Sequence, residues 1–176
     1  ANMADKKIAI IGGASVDWFM SYTAIMNVGA VTVPIDKELP VSDIASIINT
    51  AKCEYIFFAA DVADKSKAVC AEAPVAKHLV SMCGEVEGAT PLTELRAAGA
   101  KKFASGDRTY FEYPINNEKL SSIVFTSGTT GQGKGVMLSL KNICSDMEQG
   151  MYNFEITERT LFALPPHHTF GSTVNF

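Results

Sequence analysis

The first half of the chain alternates short apolar runs with longer stretches in which apolar residues return every three or four positions. Lys7-Ile8-Ala9-Ile10-Ile11 has the pattern of a strand covered on both faces, and Gly12-Gly13 ends it in a turn. Ser15 is placed to cap a helix running through Val28, and Gly29 to end it with a left-handed residue. That helix carries Trp18, Phe19, Met20, Tyr22, Ile25 and Met26, apolar nearly all round, which predicts burial. Val31-Thr32-Val33-Pro34-Ile35 predicts a second strand, and Ile44, Ile47, Ile48 and Ala51 recur at helical spacing. Tyr55-Ile56-Phe57-Phe58 is a third strand, residues 61–73 a weaker helix, and His78-Leu79-Val80 a fourth strand. Strands alternating with helices predict βαβ units, hence an α/β fold with a mostly parallel sheet flanked by helices.

The pattern is least regular over residues 84–117, where only 92–98 read as a short helix and Gly99, Gly106 and Pro114 suggest surface connection. It sharpens again at Ser122-Ile123-Val124-Phe125, a strand, followed by a Gly/Thr-rich loop and an extended run, Gly135-Val136-Met137-Leu138. Leu140, Ile143, Cys144, Met147, Met151 and Phe154 then mark an amphipathic helix. Leu161-Phe162-Ala163-Leu164 is a last strand, delivering Pro165, Pro166, His167 and His168 into a loop. The chain starts abruptly, Ala1 to Asp5 resembling a cloning scar or a loop end, and it stops at Phe176 as a new element begins. The expectation is one piece, residues 1–176, cut at both ends from a larger N-terminal domain, with the C-terminal parts of the parent absent.

Composition narrows the function. Residues are 47% hydrophobic and 19% charged, which fits a folded domain and not a disordered one. A net charge of −4 without a basic stripe argues against nucleic acid. No apolar run approaches the ~20 residues needed to span a bilayer, which leaves only peripheral membrane contact open. Cys53, Cys70, Cys83 and Cys144 are scattered, with no zinc or C-x-x-C spacing, so reduced, packed thiols in a cytoplasmic protein are expected.

The chemistry concentrates in Thr126-Ser127-Gly128-Thr129-Thr130-Gly131-Gln132-Gly133-Lys134-Gly135-Val136. Glycines remove the Cβ atoms that would hold a phosphate away and allow turns that aim several N–H groups inward. Ser127, Thr129 and Thr130 add hydroxyls, and a hydroxyl also serves Mg²⁺. Lys134 adds a charge that reaches outer phosphates. Gly128 to Lys134 also fits G-x-x-x-x-G-K, the body of a P-loop, but that motif needs Ser or Thr next and a helix after the lysine. Here Gly135 follows and opens an extended run.

The segment resembles the signature phosphate loop of the adenylate-forming superfamily, which includes acyl-CoA synthetases, luciferases and peptide-synthetase adenylation domains. It matches T-S-G-[ST]-T-G-x-P-K-G-V except that Gly133 stands where proline is usual, which makes the loop more flexible. Leu164-Pro165-Pro166-His167-His168-Thr169-Phe170-Gly171 resembles the family's L-P-x-x-H-x-x-G segment, with His168 in the histidine position. Residues 8–36, with Trp18 and the run from Gly29 to Asp36, resemble the opening of AMP-forming acyl-CoA synthetases.

The resemblance implies ATP-dependent activation of a carboxylic acid, a fatty acid foremost, to acyl-AMP and then to acyl-CoA, with ATP, Mg²⁺ and coenzyme A as cofactors. It implies that Thr126, Ser127, Gly128, Thr129, Thr130, Gly131, Gly133, Lys134 and Gly135 hold the nucleotide, that Thr126 and Thr129 serve the metal, and that His168 and Lys134 act on the reacting groups. An adenylation domain loading a carrier-protein thiol, and a nucleotide-binding module without acyl chemistry, are the alternatives.

Overall fold

The computed structural model describes residues 3–126, 133–153 and 164–168. Its centre is β1 (Lys7–Ile11), apolar at every position after the first. A strand of that composition is stable only with both faces covered, and here both are. Ile8 and Ile10 point to one face, where they meet Trp18, Tyr22 and Ile25 of α1 (Val16–Asn27). Ala9 and Ile11 point to the other, where they join Ile44 and Ile48 of α2 (Val41–Ala51) and Val69 of α3 (Ala63–Glu72).

The remaining elements are β2 (Val31–Ile35), β3 (Tyr55–Phe58), β4 (His78–Ser81), β5 (Thr90–Pro91), α4 (Leu92–Ala104), β6 (Leu120–Thr126), β7 (Lys134–Ser139) and α5 (Leu140–Asn153). The seven strands form one sheet in the order β5-β4-β3-β1-β2-β6-β7. All pairs are parallel except β6 with β7. The chain runs from β1 outward to β2, then back across β1 to β3. The crossover helix changes face at that reversal, as a constant crossover hand requires. The expected mostly parallel α/β sheet flanked by helices is the fold observed.

Local signals act as the sequence predicts. The Ser15 hydroxyl accepts from the Trp18 N–H at 3.1 Å and caps α1, and Gly29 follows that helix at φ +69°. Trp18 then stacks on Tyr22, with ring centroids 5.2 Å apart. Burial of one such aromatic contributes roughly 1.5–3 kcal/mol.

Three expectations are corrected. Helix α1 is not buried all round: Val16 and Met20 are 73% and 55% exposed, because only its inner stripe meets the sheet. The short helix expected over 92–98 continues to Ala104 as α4. Ala97, Ala98, Lys101 and Lys102 are good helix formers, and the ~1 kcal/mol cost of an interior Gly99 does not break it. Residues 84–117 therefore contain β5 and α4, so they are more regular than their composition suggests. The predicted strand 161–164 lies, apart from Leu164, outside the described residues.

The four cysteines are free thiols, but the expected packing holds only for Cys53 and partly for Cys70, since Cys83 and Cys144 are exposed; burial pushes the Cys53 thiol up to about 12. No helix among the described residues is long and apolar enough to cross a membrane.

Gly12, just after β1, packs tightly against Ala59, just after β3. Its φ is +152°, and a Cβ there would stand 2.4 Å from the Ala59 Cβ. Gly12→Ala should therefore add backbone strain to overpacking and cost about 2–4 kcal/mol. Denaturant unfolding reads this directly: the midpoint should fall with an unchanged slope. An unchanged midpoint would show that the β1 and β3 ends are not packed as described.

Candidate functional site

Parallel strands send their carboxyl ends to one edge of the sheet. Ligands of doubly wound sheets ordinarily sit on that edge where the strand order reverses, which here lies between β1 and β3. In this chain that crevice is closed by its own groups. The Gly13 N–H donates to Asp61 Oδ2 at 3.0 Å, and Lys37 Nζ meets the same oxygen at 2.9 Å. The bond to Asp61 holds the Lys37 ammonium above its ordinary range. The backbone donor and the charges that a phosphate would need at this point already satisfy one another.

The loop singled out from sequence lies two strands away, beyond β2. β6 and β7 pair antiparallel with Thr126 opposite Lys134, and the segment singled out from sequence lies between these two residues in the chain. At its mouth the Thr126 hydroxyl donates to the Lys134 carbonyl at 3.5 Å. Thr126, Gly133, Lys134 and Gly135 are all exposed.

Two glycines are explained by packing at this mouth. A Cβ on Gly135 would stand 2.9 Å from Ile123 Cγ2 and 3.2 Å from Phe125 Cζ. A Cβ on Gly133 would stand 3.3 Å from the Thr126 carbonyl oxygen. The backbone is therefore bare where the loop joins its strands. Ser127, Gly128, Thr129, Thr130 and Gly131 lie outside the described residues. Among the described residues no three acidic, His or Cys side chains gather to hold a metal.

Lys134 opens a strand, and α5 begins only at Leu140. This decides against the P-loop alternative, in which the lysine starts a helix whose N-terminus holds the phosphates. The steric wall of Ile123 and Phe125 also leaves no ready place for the Ser or Thr that a P-loop has after its lysine.

The second motif reaches the same edge by a different contact. Residues 165–168 form a turn in which the His168 N–H donates to the Pro165 carbonyl at 3.1 Å. Pro166 is buried, His167 is half-buried, and Pro165 and His168 are exposed. His167 Nε2 stands 3.7 Å from Asp36 Oδ2, just past the end of β2. Burial holds the His167 imidazole below its ordinary range, Asp36 partly offsets this, and His168 adds to it.

Thr32 pairs with Ser122, so equal steps along the two parallel strands bring Asp36 to the level of Thr126. Adjacent strands lie about 4.8 Å apart. The turn bearing His168 is thus docked on the strand end next to the hairpin bearing Lys134. Sequence reasoning missed Asp36, Lys37, Asp61 and His167. The signal that could have found them is position: each acid or lysine of this group follows closely on a parallel strand's carboxyl end.

Comparison with known proteins identifies the family and the fold. Residues 3–176 match the family described as AMP-binding enzyme. The chain is 25% identical over 182 residues to the long-chain-fatty-acid–CoA ligase FadD15 of Mycobacterium bovis, covering 98% of this chain and 29% of that protein. It is 27% identical over 171 residues to the D-alanine–D-alanyl carrier protein ligase of Streptococcus equi, covering 96% and 29%. It also matches the hybrid PKS-NRPS synthetase fsa1 of a Fusarium species, at 28% over 160 residues, covering 89% of this chain and 4% of that one.

The chain thus spans less than a third of the length of these relatives. Among solved structures, apo MatB from Rhodopseudomonas palustris superposes with a TM-score of 0.75 at 23% identity, covering 98% of this chain and 32% of that one. A red-emitting luciferase from Phrixothrix hirtus gives 0.77 at 18% identity, covering 96% and 33%. With its strand order, its hairpin loop and a family match over nearly its whole length, this chain belongs to the AMP-binding enzyme family.

Proposed function

We propose that this chain is the ATP-phosphate-holding part of a cytoplasmic acid–thiol ligase, which activates a carboxylic acid, a fatty acid foremost, as acyl-AMP and passes the acyl group to coenzyme A. The observation that carries the reading is the β6–β7 hairpin, with Lys134 opening a strand and its loop closing on Thr126. Catalysis of this kind is positioning and electrostatics. The acid's carboxylate oxygen attacks the α-phosphorus, the bond to the bridging oxygen breaks, and pyrophosphate leaves with the charge.

In this reading Lys134 and the backbone and hydroxyls of residues 126–131, Thr126 and Thr129 among them, grip the β- and γ-phosphates as one leaving group. Gly133 and Gly135 keep the approach bare. Mg²⁺ would supply charge neutralisation on those phosphates, with the hydroxyls of Thr126 and Thr129 as the chain's contribution to it. His168, exposed on its turn beside the hairpin, would wall the space where the acyl carbonyl and α-phosphate meet. Residues 1–176 are then one piece of a larger N-terminal domain.

The match to carrier-protein ligases at comparable identity supports a second reading, in which the accepting thiol belongs to a carrier protein.

The two halves of the proposal are separable. With ATP, Mg²⁺ and a panel of fatty acids, the intact protein should yield AMP and pyrophosphate only when acid is present. Chromatography of the nucleotides decides it: acid-independent ADP would overturn the reading. Added coenzyme A should then give a thioester, whereas transfer only to a carrier protein favours the second reading. Residues 1–176 alone should release no pyrophosphate above background, and turnover by this piece would contradict its place as a part.

Lys134→Ala should cost roughly 1.5–3 kcal/mol in kcat/KM for ATP, or about 10- to 150-fold, with the KM for the acid little changed. Thr129→Ala should act in the same direction. If both variants keep wild-type ATP kinetics, the loop does not hold the phosphates.

A further inference from the structure

Resting on that reading, we propose that His167 and Asp36 form a positioning pair that seats the 165–168 turn on the end of β2 and so sets where His168 stands. The pattern along the turn is the first ground. Pro166 is buried and His167 half-buried, while Pro165 and His168 on either side are exposed. The turn therefore buries Pro166, sets His167 against the end of β2 and leaves His168 outward. The second ground is the geometry of Asp36. Its Oδ1 accepts from the Glu38 N–H at 2.9 Å, which fixes the carboxylate in the turn after β2, and its Oδ2 faces His167 Nε2 at 3.7 Å. The third is the support behind it. The next residue, Lys37, is tied to Asp61, whose same oxygen accepts from Gly13, so the loops after β1, β2 and β3 are braced together under the seat.

The groups acting on the His167 imidazole are Asp36 from the end of β2 and His168 from its own turn. Burial outweighs the attraction of Asp36, so the folded imidazole binds its proton less readily than an unfolded one. The sign follows: seating is favoured above the ordinary imidazole range near 6.5 and is lost as pH falls through the folded midpoint. His167 is not placed to touch substrate in this account. It acts through His168.

The test uses the intact protein and two independent readouts. Histidine side-chain NMR titration follows the imidazoles of His78, His167 and His168, each assigned by its loss on substitution. Asp36→Asn keeps the acceptor for the Glu38 N–H and removes the charge. It should move the His167 midpoint to lower pH and shift the His168 resonances, with His78 unmoved, since His78 lies on the opposite edge stacked on Tyr55. An unchanged His167 midpoint in a folded Asp36→Asn protein overturns the pair.

The second readout is a double-mutant cycle on acid-dependent AMP formation. His167→Ala should lower kcat on the order of tenfold or more with the KM for ATP nearly unchanged. In the His168→Ala background the same change should cost less than about twofold, because the effect passes through His168. Full additivity overturns the positioning role, even where His167→Ala also lowers the thermal midpoint. His167→Gln, whose amide nitrogen reaches about as far as Nε2, should recover part of the loss, and failure to do so counts against the seat. If the wild type forms no AMP, it is the functional reading that fails, and the titration still decides the pair.

Discussion

Ile8, Ala9, Ile10 and Ile11 of β1 are 0–3% exposed, and the position of every other element follows from covering them. A strand buried on both faces must pair on both sides and carry helices above and below. β2 and β3 take the two sides, and α1 and α2 the two faces. Parallel pairing then aligns the carboxyl ends, so loops far apart in sequence meet along one edge. The site is a consequence of that alignment. No single loop contains it.

The edge is divided between two tasks. Between β1 and β3, where doubly wound sheets ordinarily bind ligands, Gly12 packs on Ala59 and Asp61 collects both the Gly13 N–H and Lys37. The Lys37–Asp61 ion pair is about one-third exposed and contributes little to stability. With the Gly13 bond to the same oxygen, its effect is geometric: it fixes the loops after three strands against one another. Beyond β2 the β6–β7 hairpin leaves Thr126, Gly133, Lys134 and Gly135 exposed. In the proposed reading, braced loops on one side and a bare glycine-lined mouth on the other suit a phosphate, since preorganised donors cost no rearrangement when charge arrives.

How much of this the residues announce depends on the kind of signal. The core strands are legible because double-sided burial leaves continuous apolar runs, and α1 is legible because Ser15 and Gly29 mark its ends. Helix α4 is underestimated because Gly99 and a weak apolar stripe disguise it, and the exposure of Met20 cannot be read from a helix that is apolar on most sides. The hairpin loop is legible through its residue types and spacing. The Asp36–His167 contact is not, because it joins the end of β2 to a turn far along the chain, and nothing local to either segment states that. His168 is singled out by its motif, whereas the neighbouring His167 carries no local sign that it meets Asp36.

The central claim is that outer phosphates bind at the β6–β7 hairpin and not at the β1–β3 reversal of strand order. Amide hydrogen exchange of the intact protein with and without ATP and Mg²⁺ tests it most directly. Slowed exchange should be confined to residues around 126–135 and the adjoining 165–168 turn, with residues 12–15 and 59–62 unchanged. Slowing at 12–15 and 59–62, with the hairpin unaffected, would contradict the account.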